Sequence, residues 1–333
     1  MSKTYRAAVI GCGGISHLHA RQYHDFEDVE LVACSDINPD AMAGYEERYG
    51  VKKHYEDYGA MLAEEPLDLV SVCTWIPLHP VISLAAAKAG VKGIICEKPM
   101  ATSMTVANEM VDVCDAHGAK LAIGHQLRFD GPYIGARQLL ADGVIGDLVK
   151  IHGICEGGDL MDNGTHTVDL MRWFADDSPH EWVMGQISRG AGGTKFGIAS
   201  LEDYVGYWKH ENGVRAFIEG GKRSARGYHH IHLYGTEGEI ELGAPGGPAL
   251  RYRASSTAGH WATTSYENDS SPVRDMIDAI KEDRDHRSSG RNGRAALEIL
   301  LGIMESARQR ALIELPLSVD DYPLQSMIDA GDV

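Results

Sequence analysis

The sequence predicts an α/β chain in which a doubly wound N-terminal domain, residues 1–124, precedes an α+β domain, residues 125–333, with an open and largely antiparallel sheet. Three observations carry this. Up to Gly124, short apolar runs without polar alternation are separated by helical patterns, which implies parallel strands covered on both faces. Beyond Gly124 strand-like runs follow one another, punctuated by Gly and Asn-Gly turns. At 333 residues the chain has room for two domains, each with its own core.

In the first domain the apolar runs Arg6–Ile10, Glu30–Ser35, Leu69–Cys73, Gly93–Cys96 and Lys120–Gly124 are predicted as strands. Helical periodicity fills the gaps at Ile15–His24, Pro39–Tyr49, Leu78–Ala89 and Met104–His117. In the second domain a helix (Tyr133–Ala141), a long strand (Val149–Glu156) and another helix (His166–Phe174) come first. Strands follow at Trp182–Ser188, Tyr204–His210, Val214–Glu219, Ile231–Gly235 and Gly238–Leu242. The segment Ala244–Gly259, rich in Gly, Ala, Ser and Pro, is read as hairpin and loop. Helices return at Val273–Glu282 and Arg294–Ala311, and a strand at Ile313–Pro316.

Composition narrows the partners. A net charge of -17 leaves no basic footprint for nucleic acid or for an anionic membrane, so small molecules and proteins remain. Six cysteines form no Cys-x-x-Cys pair and several fall inside apolar runs, as buried thiols in a reducing compartment do. No apolar signal region opens the chain and no run approaches the length of a membrane span, which places it in the cytoplasm.

The strand Arg6–Ile10 runs into Gly11-Cys12-Gly13-Gly14-Ile15-Ser16, a Gly-x-Gly-x-x-Gly pattern whose last position holds a serine. The first glycine makes the turn, the second lets a pyrophosphate approach the backbone, and the third position asks for a small residue. Free amides at the start of the next helix favour an anion, so the first domain is expected to be an NAD-binding Rossmann domain. Asp36 follows Ser16 by 20 residues at the end of the second strand, where an acid bonds the adenosine ribose. Its charge would repel a 2′-phosphate, which favours NAD over NADP. The plainer role for Asp36 is to cap the helix beginning near Pro39.

Lys98 ends the Gly93–Cys96 strand in Glu97-Lys98-Pro99, at the carboxyl edge where open sheets bind ligands. Taken alone, Glu97 and Lys98 read as a surface ion pair. Asp162 and His166 are four apart at the start of a helix, which lets a carboxylate hold an imidazole in one tautomer and makes His166 a candidate general base. Asp169, three residues on, reads either as a second contact to that ring or as a helix-surface acid. A site using His152 or Glu156 beside Asp162 and His166 is conceivable, but the hydroxyl proton needs no metal, and none is expected.

Together these residues resemble the Gfo/Idh/MocA oxidoreductase family, named for glucose-fructose oxidoreductase and inositol dehydrogenase. The resemblance runs from Ala8-Val9-Ile10-Gly11-Cys12-Gly13 through Glu97-Lys98-Pro99 and Gly124-His125-Gln126-Leu127-Arg128-Phe129 to Gly143-Val144-Ile145-Gly146, Asp162-x-x-x-His166-x-x-Asp169 and Leu315-Pro316-Leu317. It implies Lys98, Asp162 and His166 as the catalytic group: His166 takes the hydroxyl proton, Lys98 holds the same oxygen, and Asp162 orients His166. Thr74, Trp75, Pro77 and His79 match a cofactor-lining segment, Glu97 and Gln126 join the cofactor contacts, and Gln126 also joins the substrate side. Arg128 is expected to form an internal ion pair holding the domains together. The basic island Lys222–Arg226 reads as a solvated hairpin or as a contact for an acidic sugar. Leu127 stands where inositol-type members carry a polar or basic residue, which points away from inositol itself.

The expected activity is NAD-dependent oxidation at a carbinol carbon of a sugar, polyol or sugar derivative. Two alternatives stay open: a glycosidase that uses NAD transiently, and an NAD-binding regulator without turnover. An open sheet face is expected to pair copies of the chain as a homodimer or homotetramer.

Overall fold

A computed structural model describes residues 4–221 and 229–333. The chain divides into two units, the first made of residues 1–101, 106–124 and 271–293, the second of residues 102–105, 125–270 and 294–333.

The first unit is built on a six-stranded sheet, β1 (Tyr5–Ile10), β2 (Val29–Ser35), β3 (Lys53–Tyr55), β4 (Leu69–Val72), β5 (Gly93–Cys96) and β6 (Lys120–Ile123). All neighbours are parallel and the order is β3-β2-β1-β4-β5-β6. The order reverses between β1 and β4, so the crevice outside their carboxyl ends is the place for a ligand. Helices α1 (Ser16–Asp25), α2 (Pro39–Tyr49), α3 (Tyr58–Glu64), α4 (His79–Lys88) and α5 (Met104–Ala116) connect the strands. The short β3 and α3 escape a periodicity argument because a three-residue strand and a seven-residue helix hold too few positions to show a period.

The segment Ser271–Gly293, expected with the second domain, belongs to the first unit. Its helix α8 (Pro272–Glu282) sends Val273, Met276 and Ile277, all fully buried, into the core that holds Tyr5, Ala7, Leu69 and Ile95. Burying Met276 and Ile277 contributes about 1.5–3 kcal/mol each, which ties α8 to this core. Gly93 is flush against this helix, since a Cβ there would lie 2.8 Å from Met276 Sδ.

The second unit carries a nine-stranded sheet. Its strands are β7 (Leu148–Glu156), β8 (His180–Ser188), β11 (Asp203–His210), β12 (Arg215–Gly221), β13 (His230–Gly235), β14 (Gly238–Leu242), β15 (Leu250–Ala254), β16 (Ala262–Thr263) and β17 (Ile313–Glu314). A separate hairpin pairs β9 (Thr194–Lys195) with β10 (Ile198–Ala199). Only β7 and β12 run parallel; every other pair is antiparallel. Part of the segment read as loop is β15, paired along its whole length to β14.

The residues of β11 alternate between buried and half-buried, so one sheet face is covered. Helices α7 (Thr165–Phe174) and α9 (Gly290–Gln309) lie on that face, and glycines let them approach: a Cβ at Gly153 would sit 2.6 Å from Met171 Sδ, and one at Gly185 2.6 Å from Ile303 Cγ2. The remaining helices are α6 (Gly131–Ala141) and α10 (Pro323–Ala330). Among the described residues, no helix is long and apolar enough to cross a membrane. The basic island Lys222–Arg226 lies outside the described residues.

Candidate functional site

The glycine loop follows β1 at the point where the sheet order reverses. Gly11 has φ +89, and a Cβ there would lie 2.6 Å from the Cys73 carbonyl oxygen, so only glycine fits this turn. At Gly13 and Gly14 a Cβ would meet nothing within 4 Å, so the outer side of the loop is open. The start of α1 has no side-chain cap and no acidic residue in its first turn; the Ser16 and Leu18 amides donate to the Gly13 and Ile15 carbonyls, and the positive end of the helix dipole favours an anion there. These features fit a dinucleotide pyrophosphate. Ser16 does more than stay small: its hydroxyl donates to the Gly13 carbonyl at 2.5 Å and accepts from the Tyr45 hydroxyl at 2.5 Å.

Asp36 is half-buried at the end of β2. Its carboxylate accepts from the Cys12 amide at 2.6 Å and from the Asn38 amide at 2.8 Å. The Cys12 amide is thus spent on Asp36, which alters the phosphate-binding role expected of it. Asn38, whose side chain accepts from the Asp40 amide, is the cap of α2, so the plainer role foreseen for Asp36 falls to a neighbour. Ile15, Ile37 and Trp75 follow the carboxyl ends of β1, β2 and β4, and Ile37 and Trp75 are 85% and 65% exposed. Large apolar side chains left in water at a ligand crevice suit the flat faces of a base and a nicotinamide.

Glu97 is no surface partner for Lys98. It is buried, with Oε1 2.9 Å from His19 Nε2, and a Cβ on Gly124 would come within 2.7 Å of the same oxygen. His19 Nδ1 lies 3.0 Å from Ser71 Oγ, which pairs with the Tyr23 hydroxyl at 2.8 Å. Burial pushes the His19 imidazole down, but Cys73 and the Glu97 carboxylate outweigh it and carry the pKa up to about 10. Burial likewise pushes Glu97 up, and His19 more than reverses it, holding the carboxyl below its ordinary range. Lys98 is half-buried at the end of β5, beside this inward-facing acid.

The segment after β4 divides by depth. His79 is buried, with Nδ1 2.9 Å from the Pro99 carbonyl oxygen and Nε2 3.0 Å from that of Thr74. Burial lowers the His79 pKa, so the neutral ring has one N–H, which donates to one of these two carbonyls. The Thr74 hydroxyl is buried, whereas Trp75 and Pro77 face outward.

In the second unit, β7 gives way to a π-helical turn, Leu160–Gly164, before α7 begins at Thr165. Buried Asp159 caps the turn through the Met161 amide and also accepts from the Leu201 amide. Asp162 thus stands in a π turn, not on the α-helical face assumed from its spacing to His166. Its carboxylate is engaged by Lys195, presented by the β9–β10 hairpin.

His166 is 4% exposed on the first turn of α7. Its ring meets His125 edge to face, with centroids 5.6 Å apart, and His229 on a similar footing at 5.8 Å. Asp169 is no surface acid: it is 1% exposed and takes two bonds from the Arg128 guanidinium, at 2.7 and 2.8 Å. Arg128 also grips Asp177 with two bonds of 2.7 Å, so its ion pair lies wholly inside the second unit instead of joining the domains. Gln126 sits half-buried in the same short turn as Arg128. No group of three or more metal-type ligands exists among the described residues.

Sequence reasoning missed His19, His125, His229 and Lys195 as members of these clusters. His19 offered a signal as a polar residue on the inward face of α1, and His125 stood in the Gly124–Phe129 motif; the partners of His125, His229 and Lys195 lie 33 to 63 positions away along the chain.

Comparison with known proteins agrees with this geometry. Residues 5–125 match the oxidoreductase family with an NAD-binding Rossmann fold, GFO_IDH_MocA, and residues 153–241 match the GFO/IDH/MocA C-terminal domain. The chain is similar to D-apiose dehydrogenase of Paraburkholderia graminis, 25% identical over 99% of this chain and 95% of the relative. It is similar also to inositol 2-dehydrogenase 3 of Saccharopolyspora erythraea, 26% identical over 96% and 97%. The fold is that of an oxidoreductase from Agrobacterium radiobacter solved with NAD+, L-tartaric acid and magnesium, with TM-score 0.81, 19% identity and coverage of 94% of this chain and 98% of that one.

Because the folded pKa of His19 is raised from 6.5 to about 10, its pairing stabilises the fold fully below pH 6.5 and loses that contribution as pH climbs through about 10. Thermal unfolding of wild type and His19→Gln should therefore differ most at about pH 6 and converge as pH rises through about 10. A gap that widens over that range would contradict the buried imidazolium.

Proposed function

The chain belongs to the Gfo/Idh/MocA family of NAD-binding oxidoreductases, and from that premise we propose that it is an NAD-dependent dehydrogenase acting on a carbinol carbon of a sugar, polyol or sugar derivative. The observation that carries the reading is the glycine loop, with glycine enforced at position 11, open space outside Gly13 and Gly14, and an uncapped helix start behind it. The sugar class rests on the relatives, whose names specify D-apiose and inositol.

Bound NAD supplies the hydride acceptor. His166 removes the hydroxyl proton, from a helix turn whose burial keeps competing water away. Lys98 holds the same oxygen and offsets the negative charge that develops on it. Asp162 completes the catalytic group, with its carboxylate steadied by Lys195. Asp36 bonds the ribose hydroxyls and repels a 2′-phosphate, which makes NAD the preferred cofactor. Six buried free thiols support a reducing, cytoplasmic setting.

The test is a panel of sugars, polyols and sugar acids, D-apiose among them, scored by NADH formation and repeated with NADP. NADH should form with at least one member, at higher kcat/KM than with NADP; no response from any member sinks the dehydrogenase reading, and release of an aglycone without net NADH points to the transient-redox glycosidase. With the best substrate, Lys98→Ala and His166→Ala should each lower kcat by about 10²–10⁴ while the Kd for NAD holds. Wild-type turnover in either variant removes that residue from the mechanism.

The half-buried face of the second-unit sheet, where Met184 is 44% exposed, supports a homodimer or homotetramer. Light scattering should give twice or four times the chain mass, and a monomer at micromolar concentration would end this part of the reading.

A further inference from the structure

Oxidising a carbinol with hydride transfer to NAD leaves one proton per turnover, and His166 is 4% exposed. A buried base that collects this proton has to hand it on before the next cycle. Its ring lies between two other imidazoles, His125 at 5.6 Å and His229 at 5.8 Å between centroids, with interplanar angles of 81° and 77°.

The two neighbours differ in where a proton could go next. His125 is 2% exposed, with Nε2 2.9 Å from Thr165 Oγ1 and Nδ1 3.4 Å from Asp169 Oδ1. Asp169 is itself locked by Arg128, so a proton passed to His125 enters a cluster sealed from water. His229 is only half-buried. Its Nδ1 lies 2.9 Å from the hydroxyl of Thr167, the residue next to His166 on α7, and that bond orients the ring relative to His166.

We propose that His229 carries the proton from His166 to solvent after each hydride transfer. This rests on His166 being the base. In the step, a nitrogen of His229 gains the proton as His166 loses it, directly or through one water, returning His166 to the neutral form. His229 then releases the proton to water or buffer, so a turnover consumes one carbinol and one NAD and yields one carbonyl, one NADH and one solvent proton. His229 does not touch the hydride, so its loss should slow the return of His166 and spare ligand binding.

The experiment compares wild type, H229Q, H229A and H166Q at saturating NAD with the sugar or polyol giving the strongest NADH signal in the panel above. In H229Q and H229A, kcat should fall about 10- to 100-fold, with KM, the Kd for NAD and the thermal midpoint near wild type. Added imidazole should restore kcat saturably in both variants and leave wild type unchanged. Turnover at the wild-type rate in both, or a loss that imidazole does not repair, overturns the proposal while an inactive H166Q leaves the base assignment standing. Full activity in H166Q removes the base assignment itself, and the proton carrier with it.

Discussion

A carboxylate sealed inside the first unit constrains what surrounds it. Glu97 directly follows β5 with its side chain turned inward, where an unpaired charge would cost several kcal/mol. The His19 imidazolium answers that charge, Ser71 and Tyr23 complete the hydrogen bonds, and Gly124 leaves the room in which the carboxylate lies. One pair thereby joins α1, which begins at the phosphate loop, to the residue before Lys98. The acidic half of the Glu97-Lys98-Pro99 motif is structural support, and the lysine beside it inherits a fixed backbone.

The second unit repeats the solution with a guanidinium. Asp169 and Asp177 flank Arg128; burial alone would lower its pKa, and the two acids instead raise it. Removing one partner from such a cluster costs about 3–5 kcal/mol. The cluster steadies the turn at 126–129 against α7, and so fixes His125 relative to His166. Lys195 adds a second cation on the other carboxylate of the motif, Asp162, from a hairpin remote in sequence.

How much was legible in advance follows from the range of the interactions. Five of the six strands of the first unit, the glycine turn and Asp36 were visible because they depend on local pattern and fixed spacing. Asp162 and His166 were legible as residues, but an α-helical spacing was assumed where the chain makes a π turn. Asp169, read as possible surface charge, is among the most buried acids because its partner Arg128 stands 41 positions earlier. The helix α8 shows the same limit: its apolar stripe announces burial but not the core that receives it.

By itself, then, the sequence determined the doubly wound class of the first unit, the largely antiparallel sheet of the second and the glycine loop of the dinucleotide-binding fold. Those rest on backbone sterics, hydrophobic period and short motifs, all written within a few dozen residues. Only the tertiary structure decided that Glu97 faces His19, that Arg128 is sealed between two acids, that Ser271–Gly293 completes the first unit, and that His166 stands between two imidazoles. A buried charge must find its counter-charge wherever the fold brings one, and that partner's distance along the chain leaves no periodic trace.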